Sequence, residues 1–167
     1  MEAPTSSLLA IAPDGIAQAT SRDDAAALIA PALSRAVWPD GRVGTMMGDI
    51  VIVSQKFLAR CHGFVRSGTE GAMSEENLPA GLAVLPLADP RAEARELRRA
   101  LDARLGGRPG VIITGRVAAA GVDRELAGRN LREDLAALAE TLFNTHPNHP
   151  VVLVRGLGHL LTYEDQD

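Results

Sequence analysis

Cysteine, aromatic residues and lysine are all scarce in this chain. Its one cysteine, Cys61, excludes an internal disulfide, and a reducing cytoplasm fits that usage. The aromatics are Trp38, Phe57, Phe64, Phe143 and Tyr163, 3% of the sequence. The core must therefore be aliphatic, and a base-stacking platform for nucleic acid is disfavoured. No apolar run approaches the roughly 20 residues of a membrane span. Met1 to Ser7 lacks a basic region ahead of its short apolar run, so no secretory signal is expected. Excess positive charge is absent as well. The formal net charge is −4, which gives no basic field for nucleic acid or an anionic membrane.

What is present is 46% hydrophobic and 23% charged, a globular composition. The length of 167 residues favours one domain. Of the 17 basic residues only Lys56 is a lysine; the rest are arginines. Together with abundant alanine this points to a GC-rich coding bias. A lysine that survives such a bias marks a place where arginine does not serve, because a compact ammonium neutralises a phosphate as a point charge. The competing explanation is chance placement.

Strand-like aliphatic runs alternate with helical patterns. Leu8 to Ala12 reads as a short strand ended by Pro13-Asp14-Gly15. Ser21 with Asp24 resembles a capping box ahead of a helix carrying Ala25, Leu28, Ile29 and Leu33, which Pro31 should kink or split. Pro39-Asp40-Gly41 is a turn. Ile50 to Val53 is a β-branched run, a strand covered on both faces, with Ser54-Gln55-Lys56 at its end. Residues 63–81 read as a long loop, and Leu82 to Leu85 as a short strand. Residues 90–105 form the clearest helix. Asp89 caps it, Pro90 starts it, Leu97, Leu101 and Leu105 line one face, and Gly106-Gly107 ends it. Its five arginines are interleaved with acids and read as a solvated ion-pair face. Val111 to Thr114 is a second buried strand, opening onto Gly115-Arg116. Asn130 with Glu133 caps a further helix with a Leu131, Leu135, Leu138 and Leu142 stripe. Val151 to Val154 is a third buried strand, followed by Arg155-Gly156. The fold class is therefore α/β (mixed α+β), with a mainly aliphatic, parallel or mixed sheet and flanking helices. Residues 1–158 form a single domain, and 159–167 an acidic, fraying tail.

Several chemistries are disfavoured by motif. There is no Gly-Lys-Ser/Thr of a phosphate-binding loop, and Leu161 stands where a dinucleotide fingerprint needs its third glycine. No Gly-x-Ser-x-Gly elbow occurs. Cys61 and His62 are adjacent, and neighbours on a strand or helix point apart, against a thiol nucleophile with its base. His146 and His149 are three apart between prolines that forbid a helix, with no carboxylate near in sequence, so they read as a polar loop and not a zinc pair. His159 reads as exposed. In α/β sheets ligands bind beyond the C-terminal ends of strands, where Ser54-Gln55-Lys56, Thr114-Gly115-Arg116 and Arg155-Gly156 lie.

Several segments, in order, resemble one family. Ser21-Arg22-Asp23-Asp24 before Ala-Ala-Leu-Ile is similar to its Gly-Asp-Asp-Leu-x-x-Leu-Ile opening, and Gly48-Asp49-Ile-Val-Ile-Val-Ser-Gln-Lys56 to its Gly-Asp-x-Val-Val-Val-Thr-x-Lys strand. Leu85-Pro86, Asp89-Pro90, the Arg/Glu-rich helix and Gly110 to Thr114 follow its central run. Glu125-Leu126-Ala-Gly128-Arg129-Asn-Leu131 resembles its Asp-Leu-x-Gly-Arg-x-Leu, and Pro150 to Gly156 its closing strand. The family is the γ-glutamyl ligases that extend the glutamate tail of the deazaflavin coenzyme F-420, and the resemblance covers residues 8–157.

This resemblance implies a shortened, divergent relative and a homodimer. The family's reaction is GTP-driven formation of an acyl phosphate that the glutamate amine attacks, with Mg or Mn spanning the phosphates. It implies nucleotide or phosphate binding near Ser54, Lys56, Thr114, Arg116, Arg129 and Arg155, with backbone amides of 67–71 adding donors. Segments are missing after Lys56 and after Gly115-Arg116. Cys61 to Val65 aligns in two ways, which leaves residues 60–77 unassigned. The family's two metal-site aspartates fall at Ser74 or Met73 and at Gly115, neither a hard-cation ligand in kind, and Asp123, Glu70, Glu75 and Glu76 are the substitutes at hand. Three readings follow: a GTP-dependent amide-bond-forming enzyme, a non-catalytic homodimeric small-molecule-binding or interaction module, and a soluble dimer that kept only the fold.

Overall fold

The computed structural model of the chain describes residues 7–17, 24–62, 65–67, 82–84, 87–122, 125–126, 129–146 and 148–161. The first half runs β1 (Leu9–Ile11), α1 (Ala25–Ser34), β2 (Ile50–Val53), α2 (Gln55–Cys61), β3 (Val65–Ser67) and β4 (Leu82–Val84). The second half runs α3 (Pro90–Leu105), β5 (Gly110–Ile113), β6 (Ala118–Ala120), β7 (Glu125–Leu126), β8 (Arg129–Asn130), α4 (Leu131–Thr145) and β9 (Val151–Arg155), closing on a 3-10 turn at Gly158–Leu160. The result is a mixed α+β fold. Among the described residues, no helix is long and apolar enough to cross a membrane.

Five strands make the main sheet, in the order β1-β9-β2-β5-β6. Only β2 and β5 run parallel, with Val51 opposite Val111 and Val53 opposite Ile113. β9 is antiparallel to both its neighbours, so Val154 stands opposite Ile50 and Arg155 opposite Leu9. β6 returns antiparallel beside β5. Two small ribbons, β3 with β4 and β7 with β8, stand apart from this sheet.

Alternation along the strands splits the core in two. Val51, Val53, Val111, Ile113, Val151 and Leu153 face one layer with α1, α2 and α3. Ile50, Ile52, Ile112, Val152 and Val154 face the other, under α4. Every residue of β2 and β5 is buried, as an aliphatic run without polar alternation requires. Each fully buried Val or Ile side chain contributes about 1.5–3 kcal/mol of transfer free energy.

The helices follow their end signals closely. Asp24 accepts from Ala27 N at 3.3 Å, Asp89 from Ala92 N at 3.1 Å, and Asn130 from Glu133 N at 3.4 Å. Asp24 is thus itself the cap of α1, three residues beyond the boundary a Ser21 cap would set; Ser21 lies outside the described residues. Pro31 does not split α1, which stays assigned as one helix from Ala25 to Ser34. On α4 the buried stripe is Leu135, Ala136, Ala139 and Phe143, while Leu138 is exposed. The arginines of α3 are also less uniform than a solvated face. Arg98 is 5% exposed and donates to Pro109 O at 3.2 Å. Polar contacts of α3 reach off the helix, from Glu93 to His62 Nε2 at 2.8 Å and, as an ion pair, from Arg104 to Asp24 at 3.5 Å.

Two further expectations change. Residues 65–67 are strand β3 and not loop, while 63–64 and 68–81 lie outside the described residues. The chain does not fray at 159: Leu161 is buried and bridges Val122. The remainder, 162–167, lies outside the described residues.

Candidate functional site at the ends of the parallel pair

Because β2 and β5 are parallel neighbours, their C-terminal ends leave the sheet side by side. Thr114 N donates to Val53 O at 3.1 Å, extending the ladder by one step. Gln55 N then donates to the Thr114 hydroxyl at 3.3 Å, and Ser54 N to Pro150 O at 2.9 Å. Ser54, Gln55, Lys56, Thr114, Gly115 and Arg116 are thereby brought to one edge. α2, absent from the sequence expectations, starts here. Ser54 occupies its cap position but makes no side-chain capping bond. Lys56 is half-buried and Arg116 exposed, and neither makes an ion pair among the described residues.

Gln55 and Gly115 interlock at this edge. Gly115 has φ +87, and a Cβ built there would stand 1.8 Å from Gln55 Oε1. The Gln55 side chain is buried at this turn with 4% exposure, and its Nε2 has no hydrogen-bond partner among the described residues. A buried amide donor without an acceptor costs about 1–3 kcal/mol.

Arg155 does not join this edge. Its strand runs antiparallel to β2, so it emerges at the opposite end of the sheet, beside the start of β2. There Nε and Nη2 grip the two carboxylate oxygens of Asp49, each at 2.8 Å, and Nη2 also reaches Gly44 O at 3.2 Å. The guanidinium lies 3.8 Å from the centroid of Trp38. Hydrogen bonding to Asp49 raises the Arg155 pKa further above its ordinary value, against the opposing effect of burial. Those donors are committed inside the fold. Arg129 is also remote from the parallel ends. It lies in β8 and leads into α4, where Arg132 Nε donates to Val122 O at 2.9 Å. Val122 packs against Gly110 at the start of β5. The six sequence candidates therefore divide: Ser54, Lys56, Thr114 and Arg116 share an edge, while Arg129 and Arg155 belong to the other end. Of the backbone donors expected from 67–71, residues 68–71 lie outside the described residues, and Ser67 ends β3.

Two pairings were invisible along the sequence. His149 Nε2 bonds to Asp14 Oδ1 across 135 residues, and the His146 ring meets the His149 ring edge-on at 5.9 Å. A turn, with His149 N donating to His146 O at 2.9 Å, brings the rings together without a helix. Cys61 is buried in the core and His62 turns to Glu93, so the two do point to different surroundings.

The metal that the family resemblance implies does not fit the described residues of this edge. An aspartate at 115 would need a left-handed backbone and would have to displace buried Gln55. The described donors at the edge are hydroxyls, an amide and two cations, whereas a hard divalent ion takes carboxylates. Among the described residues, no three His, Cys, Asp or Glu side chains are grouped as a metal site. Ser74, Met73, Asp123, Glu70, Glu75 and Glu76 lie outside the described residues or have undescribed side chains. A scan against protein-family models finds no match, and a search of curated proteins likewise finds none.

Proposed function

We propose that this protein is a divergent relative of the coenzyme F-420 γ-glutamyl ligases that binds a nucleotide or another phosphorylated ligand at the ends of β2 and β5. The observation that carries the reading is the bond from Gln55 N to Thr114 Oγ1, which brings together two strand ends bearing Lys56 and Arg116. Both cations are free of ion pairs among the described residues, so their charge is available to phosphate oxygens. Ser54 and Thr114 add hydroxyls, with the Thr114 oxygen already accepting from Gln55 N and its proton still to give. Calorimetric titration with GTP, with and without manganese, tests it. Binding in at least one condition, lost in Lys56→Ala, supports the reading; no heat in either condition sinks it.

A second reading is favoured by Gly115. If the ligase reaction needs metal at that position, the interlocked Gly115 and Gln55 argue for a non-catalytic binding module. GTP incubated with coenzyme F-420, glutamate and manganese then releases no phosphate, although GTP binds.

The same proposal carries a homodimer. Val37, Val43, Met46 and Met47 are 46–69% exposed and cluster on one hairpin and the turn after it, at the sheet end away from Lys56. Asp40 and Arg42 stand beside them, 3.7 Å apart. An apolar centre with one charge of each sign at its rim is self-complementary about a two-fold axis, which favours a second copy of this chain as occupant.

A further inference from the structure

We infer that the ligand phosphate at the β2 and β5 ends is held directly by side-chain donors, with Gln55 among them, and not through a divalent cation. This rests on the phosphate-binding reading and adds to it the manner of holding. The described donors at the edge are Ser54, Gln55, Lys56, Thr114 and Arg116. Two positive charges that make no ion pair among the described residues repel a divalent cation and attract an anion. Arg116 presents a planar fork suited to two phosphate oxygens, and Lys56 a point charge beside it.

Gln55 supplies the second, independent observation. It is a polar side chain with 4% exposure whose Nε2 lacks an acceptor among the described residues, set between the two strand ends. Buried polar groups are rarely left unpaired, and one that is so calls for a reason. Its Oε1 is the atom set against Gly115, which has φ +87 and no side chain to displace it. On this proposal the carboxamide rotates as the Thr114–Val117 turn shifts, so that Nε2 and not Oε1 meets a phosphate oxygen. Such a bond satisfies an amide that is otherwise orphaned, so ligand binding gains what the free protein forgoes. A glutamine gives a neutral donor where a carboxylate would have drawn metal.

The test is calorimetry on the full chain with inorganic pyrophosphate and with GTP, once in EDTA and once in excess manganese. Equal or tighter binding in EDTA is the expected result. Binding seen only with manganese overturns this inference and leaves the phosphate reading standing. No binding in either condition overturns both. Gln55→Leu is expected to weaken binding about tenfold, with folding checked by the emission of buried Trp38. Gln55→Glu is expected to abolish binding in EDTA and to regain it with manganese, since a carboxylate then stands at the edge. Unchanged affinity in folded Gln55→Leu, or unchanged EDTA binding in Gln55→Glu, removes Gln55 from the site and overturns the inference.

Discussion

Asp49 and Arg155 meet across 106 residues of chain through two N–H···O bonds of 2.8 Å. Asp49 is fully buried and the Arg155 side chain is 14% exposed. Taking away one partner leaves an uncompensated buried charge, which costs about 3–5 kcal/mol. Asp49→Ala should lose that much stability in a urea unfolding curve followed by Trp38. The same ring is a direct local reporter, because it stacks on the Arg155 guanidinium and donates to Gly44 O at 2.8 Å. The direction of the Arg155 shift fixes its pH behaviour. A group whose folded pKa is raised contributes stability that is complete below its unfolded value and is lost as pH rises through the folded value. For an arginine that window lies above about pH 12, so the pair should contribute equally at about pH 7 and pH 10. A wild-type minus Asp49→Ala stability difference that falls between those two pH values would contradict it. Arg155 could be read as a basic residue at a strand end from sequence; that its charge is spent internally needed the distant Asp49.

Pro31 sets the question at the level of elements. It lies in the seventh position of α1, where it withholds one N–H from the helix and crowds the carbonyl four residues back. Its flank is exposed, so Pro31→Ala opens no cavity. The helical gain of about 3 kcal/mol is offset by about 1 kcal/mol of unfolded-chain entropy that proline had removed. Pro31→Ala should therefore stabilise the protein by about 2 kcal/mol, seen as a rise in Tm. At the base of β5, Gly110 is closed in on both sides, since a Cβ there would stand 2.6 Å from Leu161 Cδ2 and 2.7 Å from Val122 Cγ2. Gly110→Ala should cost about 1–3 kcal/mol through overpacking, measured by the same unfolding curves. The buried strands β2, β5 and β9 and the starts of α3 and α4 were legible because apolar runs and the caps Asp89 and Asn130 act within a few residues. The split that Pro31 suggests does not occur, because packing of Ile29, Ala30, Ala32 and Leu33 into the core holds the helix through it. Leu138 was misjudged because a leucine stripe alone does not say where α4 rotates on the sheet, and Phe143 with Ala139 fill that place.

For the molecule as a whole, the two ends of one sheet carry different residues. The end with Lys56 and Arg116 carries the proposed phosphate site; the end with Asp49 and Arg155 carries the apolar hairpin. If the hairpin joins two copies, Met47→Glu should shift the protein to monomer in sedimentation equilibrium while the fold persists. A wild type that sediments as a monomer at every concentration would refute the dimer. Separation of the ends also predicts that Met47→Glu leaves the affinity for pyrophosphate unaltered.

Composition and local pattern by themselves determined an aliphatic core, a sheet buried on both faces, the helix caps Asp89 and Asn130 and the strand-end position of Lys56. Those depend on residues near one another in sequence, where hydrophobic period and capping chemistry act directly. Strand direction was decided only in three dimensions. The antiparallel course of β9 carries Arg155 away from Ser54, Lys56, Thr114 and Arg116. An aliphatic run such as Val151 to Val154 reads the same in either direction, because burial on both faces constrains hydrophobicity and not polarity of the chain. The interlock of Gln55 with Gly115, 60 positions on by number, likewise exists only once β2 and β5 lie side by side.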